Sequence, residues 1–416
     1  MQKEWIEWLI PYIRAFHCPN GHLRFVRYES DAEKGSRIHY YWKQQTDKQD
    51  QAMLKPPLFI TLNPEVFPNE KSILATLTSH WQSYEKQFHH YPEIIVLNQR
   101  ELFFLDDDYP HVLQRCQDPY AGFVQKAAGT KQTDTFFSFE TGKQVKHKII
   151  VITGGAQGIG ACLARQLTQW GAFVFIADLN YSGACLLAKQ INQDKGEICT
   201  LPLKVDVSEE ESVGNMIRTI LYTVGGLDVL ISNAGILKAG PITKLSYQDF
   251  KRVNQVNYFG YFLLTKYVAP VMARQYQACR EVMSDIIQIN SKSGLEGSNR
   301  NSAYAGSKFA GIGLTQSFAK ELVGDHIKVN AICPGNFLDG PLWSDPEKGL
   351  IKQYLESGKV PGAKDTGDVR RYYESKVPMG RGCQCADIVQ AVLYVIQQSY
   401  ITGQAIPVTG GQVMLK

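Results

Sequence analysis

From Lys148 onward the chain alternates short β-branched runs with helical stretches, and that alternation leaves few folds open to it. Lys148-Ile-Ile-Val-Ile-Thr, Ala172-Phe-Val-Phe-Ile-Ala-Asp, Leu201-Pro-Leu-Lys-Val-Asp-Val and Leu227-Asp-Val-Leu-Ile-Ser-Asn are such runs. Asp285-Ile-Ile-Gln-Ile-Asn, Ile327-Lys-Val-Asn-Ala-Ile and Gln404-Ala-Ile-Pro-Val-Thr continue the series. Strands that are apolar on both faces are buried on both faces, and strands separated by helices pair in parallel. The seven runs therefore predict an α/β fold, a doubly wound parallel sheet of seven strands.

At 416 residues the chain has room for a second domain. Residues 127–146 are polar and lack sustained periodicity, so they read as a linker between residues 1–126 and a domain spanning 147–416. In the first part, Trp5 to Phe16 reads as an amphipathic helix and Pro56-Pro-Leu-Phe-Ile-Thr-Leu as a strand. Tyr91-Pro-Glu-Ile-Ile-Val-Leu, a turn at Asn98-Gln99 and Glu101-Leu-Phe-Phe-Leu read as paired strands, which makes a small α+β N-terminal domain. It carries no constellation of chemical groups.

Composition excludes several functions. A net charge of +4 with 20% charged residues gives no footprint for nucleic acid. No apolar run reaches the roughly 18 residues of a membrane span, and acidic residues interrupt the apolar start, so the expectation is a cytoplasmic protein without a signal peptide. The nine cysteines are read as reduced, with Cys162 and Cys333 as small buried hydrophobes. Cys383-Gln-Cys385 lacks a second pair, and His89-His90 point apart, so no metal is expected.

The chemistry gathers at the carboxyl ends of the expected strands. Thr153-Gly-Gly-Ala-Gln-Gly-Ile-Gly160 links the first strand to a helix. Its glycines allow a tight turn and bring backbone amides to a pyrophosphate at the helix N-terminus. Gly154, Gln157, Gly158, Ile159 and Gly160 form this expected cradle. Asp178, followed by Leu179, closes the second strand where a carboxylate accepts hydrogen bonds from an adenosine ribose and repels a 2′-phosphate. NAD is therefore the expected cofactor. Asp206 and Val207 are placed to receive the adenine, and Asn233, Ala234 and Gly235 to line the floor beneath the cofactor. Asn257 is a polar side chain in an otherwise apolar helix, and Ser291 follows the fifth strand. Tyr304 and Lys308 lie one helical turn apart on one face, where an ammonium draws a phenol's pKa down and fits it for acid–base work.

Taken in this order and spacing, the glycine loop, Asn-Ala-Gly, Ser291 and Tyr304-x-x-x-Lys308 resemble the short-chain dehydrogenase/reductase family over residues 147–416. Pro334-Gly335 after the sixth strand belongs to the same pattern and joins the cofactor-binding set. The resemblance implies a Rossmann-type fold, Asn257, Ser291, Tyr304 and Lys308 as catalytic residues, and a homodimer or homotetramer. It gives Tyr304 the substrate's proton, Lys308 the nicotinamide ribose, Ser291 the reacting oxygen and Asn257 a water linking Lys308 to solvent. Ile289-Asn-Ser-Lys-Ser-Gly, Gly335-Asn-Phe-Leu-Asp-Gly-Pro-Leu and Lys376-Val-Pro-Met-Gly-Arg-Gly-Cys are similar to the family's branch that acts on sugar-alcohol phosphates. Such a small-molecule substrate would meet Ser291, Lys292, Arg300 and Tyr304, with residues 337–380 as a lid carrying Lys348, Lys352 and Lys376. Oxidation of another polyol or secondary alcohol, or an NAD-binding regulatory role, stays open at this point. The segment from Glu93 to Gln125 resembles the closing part of a class II aldolase-like domain, without the His-x-His metal pair.

Overall fold

A computed structural model describes residues 2–15, 25–30, 58–60, 70–88, 92–97, 101–106, 109–117, 145–347, 349–356 and 358–414. His89-His90, the turn at Asn98-Gln99, Lys348 and all of the expected linker except Val145 and Lys146 lie outside the described residues. The chain groups into two compact units. The first contains Met1–Thr141 together with Arg218–Gly226 and Arg274–Val282. The second contains Gly142–Ile217, Leu227–Ala273 and Met283–Lys416.

The first unit has the expected mixed α and β character. Its elements are α1 (Gln2–Ala15), β1 (Phe25–Ser30), β2 (Leu58–Ile60), α2 (Glu70–Phe88), β3 (Ile94–Leu97), β4 (Glu101–Asp106) and α3 (Tyr109–Gln117). The sheet order is β1-β4-β3-β2, antiparallel except for the β2–β3 pair. On α1, Ile6, Leu9, Ile10 and Ile13 recur at helical spacing and bury against Leu58, Trp81 and Phe103. Arg14 on the same helix is fully buried, and its Nη1 donates to Gln275 Oε1 at 2.9 Å.

The second unit holds the seven-stranded sheet. Its strands are β5 (Ile149–Thr153), β6 (Phe173–Asp178), β7 (Thr200–Lys204), β8 (Val229–Ser232), β9 (Ser284–Ile289), β10 (Ile327–Pro334) and β11 (Ala405–Val408). They run parallel in the order β11-β10-β9-β8-β5-β6-β7. Helices α4 (Gly158–Gln169), α5 (Tyr181–Lys195), α6 (Glu210–Val224), α7 (Tyr247–Asn254), α8 (Gly260–Ala278) and α9 (Ser302–Leu322) provide the crossovers. All five residues of β5 are buried, as a strand covered on both faces requires. The winding reverses between β5 and β8, and ligands of such sheets bind at the carboxyl ends beside that switch point. After β10 the short helices α10 (Pro341–Ser344), α11 (Leu350–Glu356) and α12 (Thr366–Ser375) pack around Trp343, Tyr354 and Val369, in the stretch expected to be a lid. Helix α13 (Cys385–Gln397) leads back to β11.

The cysteine expectation needs one correction. Cys162 on α4 and Cys385 at the start of α13 form a disulfide, with Cα atoms 6.1 Å apart. Their separation of 223 residues hides that proximity from the sequence. Cys333 is a free buried thiol as expected. Among the described residues no cluster of metal-ligating side chains occurs, and no helix is long and apolar enough to cross a membrane.

A buried ion pair ties β9 to β10: Lys328 Nζ lies 3.0 Å from Asp285 Oδ1 and donates to the carbonyls of Val395 and Gln398. Burial nevertheless outweighs the nearby cations and pushes the Asp285 carboxyl up from 3.8 to about 6. Between these values the native state keeps a proton that the unfolded chain has released. The stability from this group is thus fully present below about pH 4 and is lost as pH rises through about 6, a swing of about 3 kcal/mol. Thermal melts across this window should show a downward stability slope that Asp285→Asn flattens.

Candidate active site

Three backbone segments meet where β5 and β8 end. Asn233 Nδ2 donates to the carbonyls of Thr153 (3.0 Å) and Gly154 (2.9 Å). In return Thr153 Oγ1 accepts from the amides of Asn233 and Ala234, both at 3.2 Å. Gly154 and Gly158 have φ of 62° and 56°, a backbone region that side chains rarely enter. A Cβ on Gly160 would stand 2.2 Å from the Gly154 carbonyl oxygen and 2.8 Å from Asn233 Nδ2. The loop feeds α4, whose N-cap Gln157 makes no side-chain cap, so its first amides face outward for an anion.

Asp178 ends β6 beside this loop. Its Oδ2 accepts from the Ala156 amide at 2.9 Å and its Oδ1 from the Asn180 amide at 2.8 Å. The carboxylate is thus fixed in place, with lone pairs left for a ribose. Leu179 is exposed at the rim. Asp206 folds its own turn, with Oδ1 accepting from Ser208 Oγ at 2.6 Å, and Val207 packs under α8. These groups fit a nicotinamide dinucleotide: uncapped amides for the pyrophosphate, glycines where a Cβ would collide, and a carboxylate for the ribose.

The reacting cluster stands on β9 and α9. Ser291 caps a 3₁₀ turn, its Oγ accepting from the Ser293 amide at 3.1 Å. Tyr304 and Lys308 share one face of α9, with Lys308 Nζ 5.6 Å from the Tyr304 ring centroid. The buried Lys308 ammonium donates to the Ile289 carbonyl at 2.9 Å. Asn257 sits in a π turn (Gln255–Phe259) between α7 and α8. Its Oδ1 accepts from the Ile236 amide at 2.8 Å, while its Nδ2 donates to the Ile236 carbonyl and to Ser307 Oγ. This side chain is fully engaged, so its geometry fixes the loop after β8 and the Lys308 turn. On the other side of α9, Asn290 Nδ2 donates to the Lys308 carbonyl at 2.9 Å.

Electrostatics in the site differ from the expectation that Lys308 pulls Tyr304 down. Burial pushes the Tyr304 phenol above its ordinary 10.0, and contact with the Ser291 hydroxyl only partly offsets this. Burial also lowers Lys308 to about 8. Both charged forms are disfavoured by desolvation, and the ammonium faces a carbonyl, so its charge does not dominate the phenol.

A cavity of about 1030 Å³ unites the site. Gly154, Gln157, Gly158 and Ile159 line its loop side, with Asp178, Leu179, Asp206 and Val207 beyond them. Asn233, Ala234, Gly235, Pro334 and Gly335 form other parts of the wall, and Ser291, Lys292, Tyr304 and Lys308 face the same space. Gly160, Asn257 and Arg300 are not part of the wall. Lys292 pairs with Glu296 at 3.9 Å, and Arg300 is exposed with a φ of 60°. Tyr354 and Tyr373, among the tyrosines of the stretch expected as a lid, line the cavity, and so do Trp343 and Lys359, which the sequence reading missed. They fall on short helices and turns with no periodic pattern to mark them.

The short chain dehydrogenase family profile matches residues 148–345. The chain belongs to the short-chain dehydrogenase/reductase family and is an alcohol oxidoreductase, a class that works with a nicotinamide nucleotide. It is 38% identical over 271 residues to the sorbitol-6-phosphate 2-dehydrogenase of Escherichia coli (strain K12), covering 64% of this chain and 99% of that one. A 3-oxoacyl-[acyl-carrier-protein] reductase of Thermotoga maritima is 30% identical, covering 65% of this chain and all of the relative. The crystal structure of sorbitol-6-phosphate 2-dehydrogenase SrlD from Erwinia amylovora superposes with a TM-score of 0.59 at 40% identity, over 64% of this chain and 100% of that one.

Gly160→Ala drives a methyl into backbone and a fixed amide rather than a flexible side chain. It should weaken binding of the nicotinamide dinucleotide by more than about tenfold, measured by quenching of tryptophan fluorescence.

Proposed function

We propose that the chain oxidises D-sorbitol 6-phosphate to D-fructose 6-phosphate with NAD, a sugar-alcohol phosphate to a keto-sugar phosphate. The observation that carries this reading is the 38% identity across 99% of the sorbitol-6-phosphate 2-dehydrogenase, joined to a cavity that holds Ser291, Tyr304 and Lys308 together. The bound cofactor supplies the hydride acceptor and a positive charge that favours the Tyr304 phenolate. Tyr304 Oη takes the substrate hydroxyl proton in oxidation and returns it in reduction. Ser291 Oγ donates to the reacting oxygen. Lys308, its ammonium 5.6 Å from the Tyr304 ring centroid, would bond the cofactor ribose, and the nicotinamide charge is what tips the buried phenol toward ionisation. Asn257 is a positioning residue: it holds Ile236 and Ser307, and through them the floor and the reacting helix.

NAD is favoured over NADP because the fixed Asp178 carboxylate stands where an adenosine ribose would bind. Exposed Phe259, Phe262 and Phe309 offer apolar surface consistent with a homo-oligomer.

Turnover is tested by following reduced-cofactor absorbance with sorbitol 6-phosphate, free sorbitol and other polyols. Equal turnover of phosphorylated and free sorbitol would refute the phosphate specificity. Tyr304→Phe should lower kcat about 10²- to 10⁴-fold while NAD binding stays near that of the unaltered protein. Asp178→Asn, which keeps the shape and removes the charge, should shift the kcat/KM preference toward NADP by about tenfold or more. An unchanged NAD:NADP ratio would remove Asp178 as the selector.

A further inference from the structure

The lid carries many cations, and most of them already have partners. Lys352 pairs with Glu356, Arg371 with Asp368, and Arg370 with both Asp339 and Glu374. Lys376 lies 4.9 Å from the Tyr372 ring centroid. Lys359 differs from all of these. Among the described lid cations it alone lines the cavity that holds Ser291 and Tyr304, and it pairs with no described carboxylate. Its ammonium lies 3.7 Å from the centroid of the Tyr354 ring, which fixes its position.

Tyr354 is buried among Trp343 and Tyr373. Asn301, the N-cap of α9 one turn before Tyr304, lines the same cavity. The Tyr354 ring thus holds the ammonium in the wall of the cavity that contains the phenol. Arg300, the residue before that cap, is exposed and outside the cavity wall, its backbone in the left-handed region (φ 60°) and its carbonyl accepting from the Gly240 amide at 2.8 Å. Burial first, and the Arg300 charge second, lower the Lys359 pKa. Asp345, a carboxylate in the cavity wall, has its Oδ1 accepting from the Glu347 amide at 2.8 Å. An ammonium in the cavity wall that pairs with no described carboxylate suits a doubly charged anion.

We propose that Lys359 receives the phosphate monoester of the substrate and sets the preference for phosphorylated over free sugar alcohols. The assignment rests on the reading of the substrate as a sugar-alcohol phosphate, and names the group that reads the phosphate. It replaces Lys292, whose ammonium faces Glu296, as the expected phosphate contact.

Loss of one charge-assisted contact is worth about 10- to 100-fold in affinity. Lys359→Gln should therefore raise KM for sorbitol 6-phosphate by about that factor with a much smaller change in kcat. Lys359→Arg should restore most of the loss. Should Lys359→Gln melt early, Lys359→Met keeps the aliphatic stem on the Tyr354 ring and removes the charge. A second readout needs no turnover: with NAD saturating, so that the glycine loop is filled, inorganic phosphate should raise Tm in the unaltered protein more than in Lys359→Gln. If the unaltered protein prefers sorbitol 6-phosphate and Lys359→Gln keeps its KM, the assignment is overturned and the function stands. If the unaltered protein does not distinguish sorbitol 6-phosphate from sorbitol, the function reading fails. The phosphate melts then decide on Lys359, and equal shifts in both proteins, or none in either, overturn the assignment.

Discussion

The clasp between Thr153 and Asn233 is the interaction on which the site depends. It spans the switch point, where β5 and β8 end side by side and the winding changes direction. One amide side chain fills two carbonyls of the glycine loop, and one hydroxyl answers two amides of the neighbouring loop. Each such bond is worth about 1 kcal/mol net, yet breaking one leaves a partly buried partner unsatisfied, which costs more. The clasp also brings Gly160 so close to Gly154 that no side chain fits between them. Loop, floor and helix N-terminus are thus set by one local arrangement.

A second layer of amides carries that arrangement to the reacting groups. Asn257 reads the Ile236 backbone with both ends of its amide and passes the constraint to Ser307 on α9. Asn290 holds the same helix through the Lys308 carbonyl. Between them the Tyr304–Lys308 turn has little freedom, which suits a group that must meet a reacting atom within fractions of an ångström. Burial disfavours the charged forms of both side chains.

Much of this was legible in the sequence because its physics is local. Apolar runs such as Ile149–Thr153 announce a strand covered on both faces, and a glycine loop between strand and helix announces an anion site. Tyr304 and Lys308 are visible because one helical turn is a fixed interval. What escaped detection depends on tertiary context. The ionisation of Tyr304 is governed by burial, which no pairwise spacing reveals. The Cys162–Cys385 link joins residues that only the fold brings together. Lys359 lies between short helices and acquires meaning from the Tyr354 ring beneath it and the cavity it lines.

The order of parts along the chain separates the cradle from the lid. The cradle is built between Thr153 and Gly235, whereas the lid is a later and separate stretch from Phe337 to Gly380. The clasp that closes the cradle uses no lid residue. A change in the lid therefore leaves the bonds of the clasp in place. A relative whose name speaks of acyl-carrier substrates is 30% identical over 274 residues, and one whose name speaks of sorbitol 6-phosphate is 38% identical over 271. The cradle and the lid are separable stretches of a single chain.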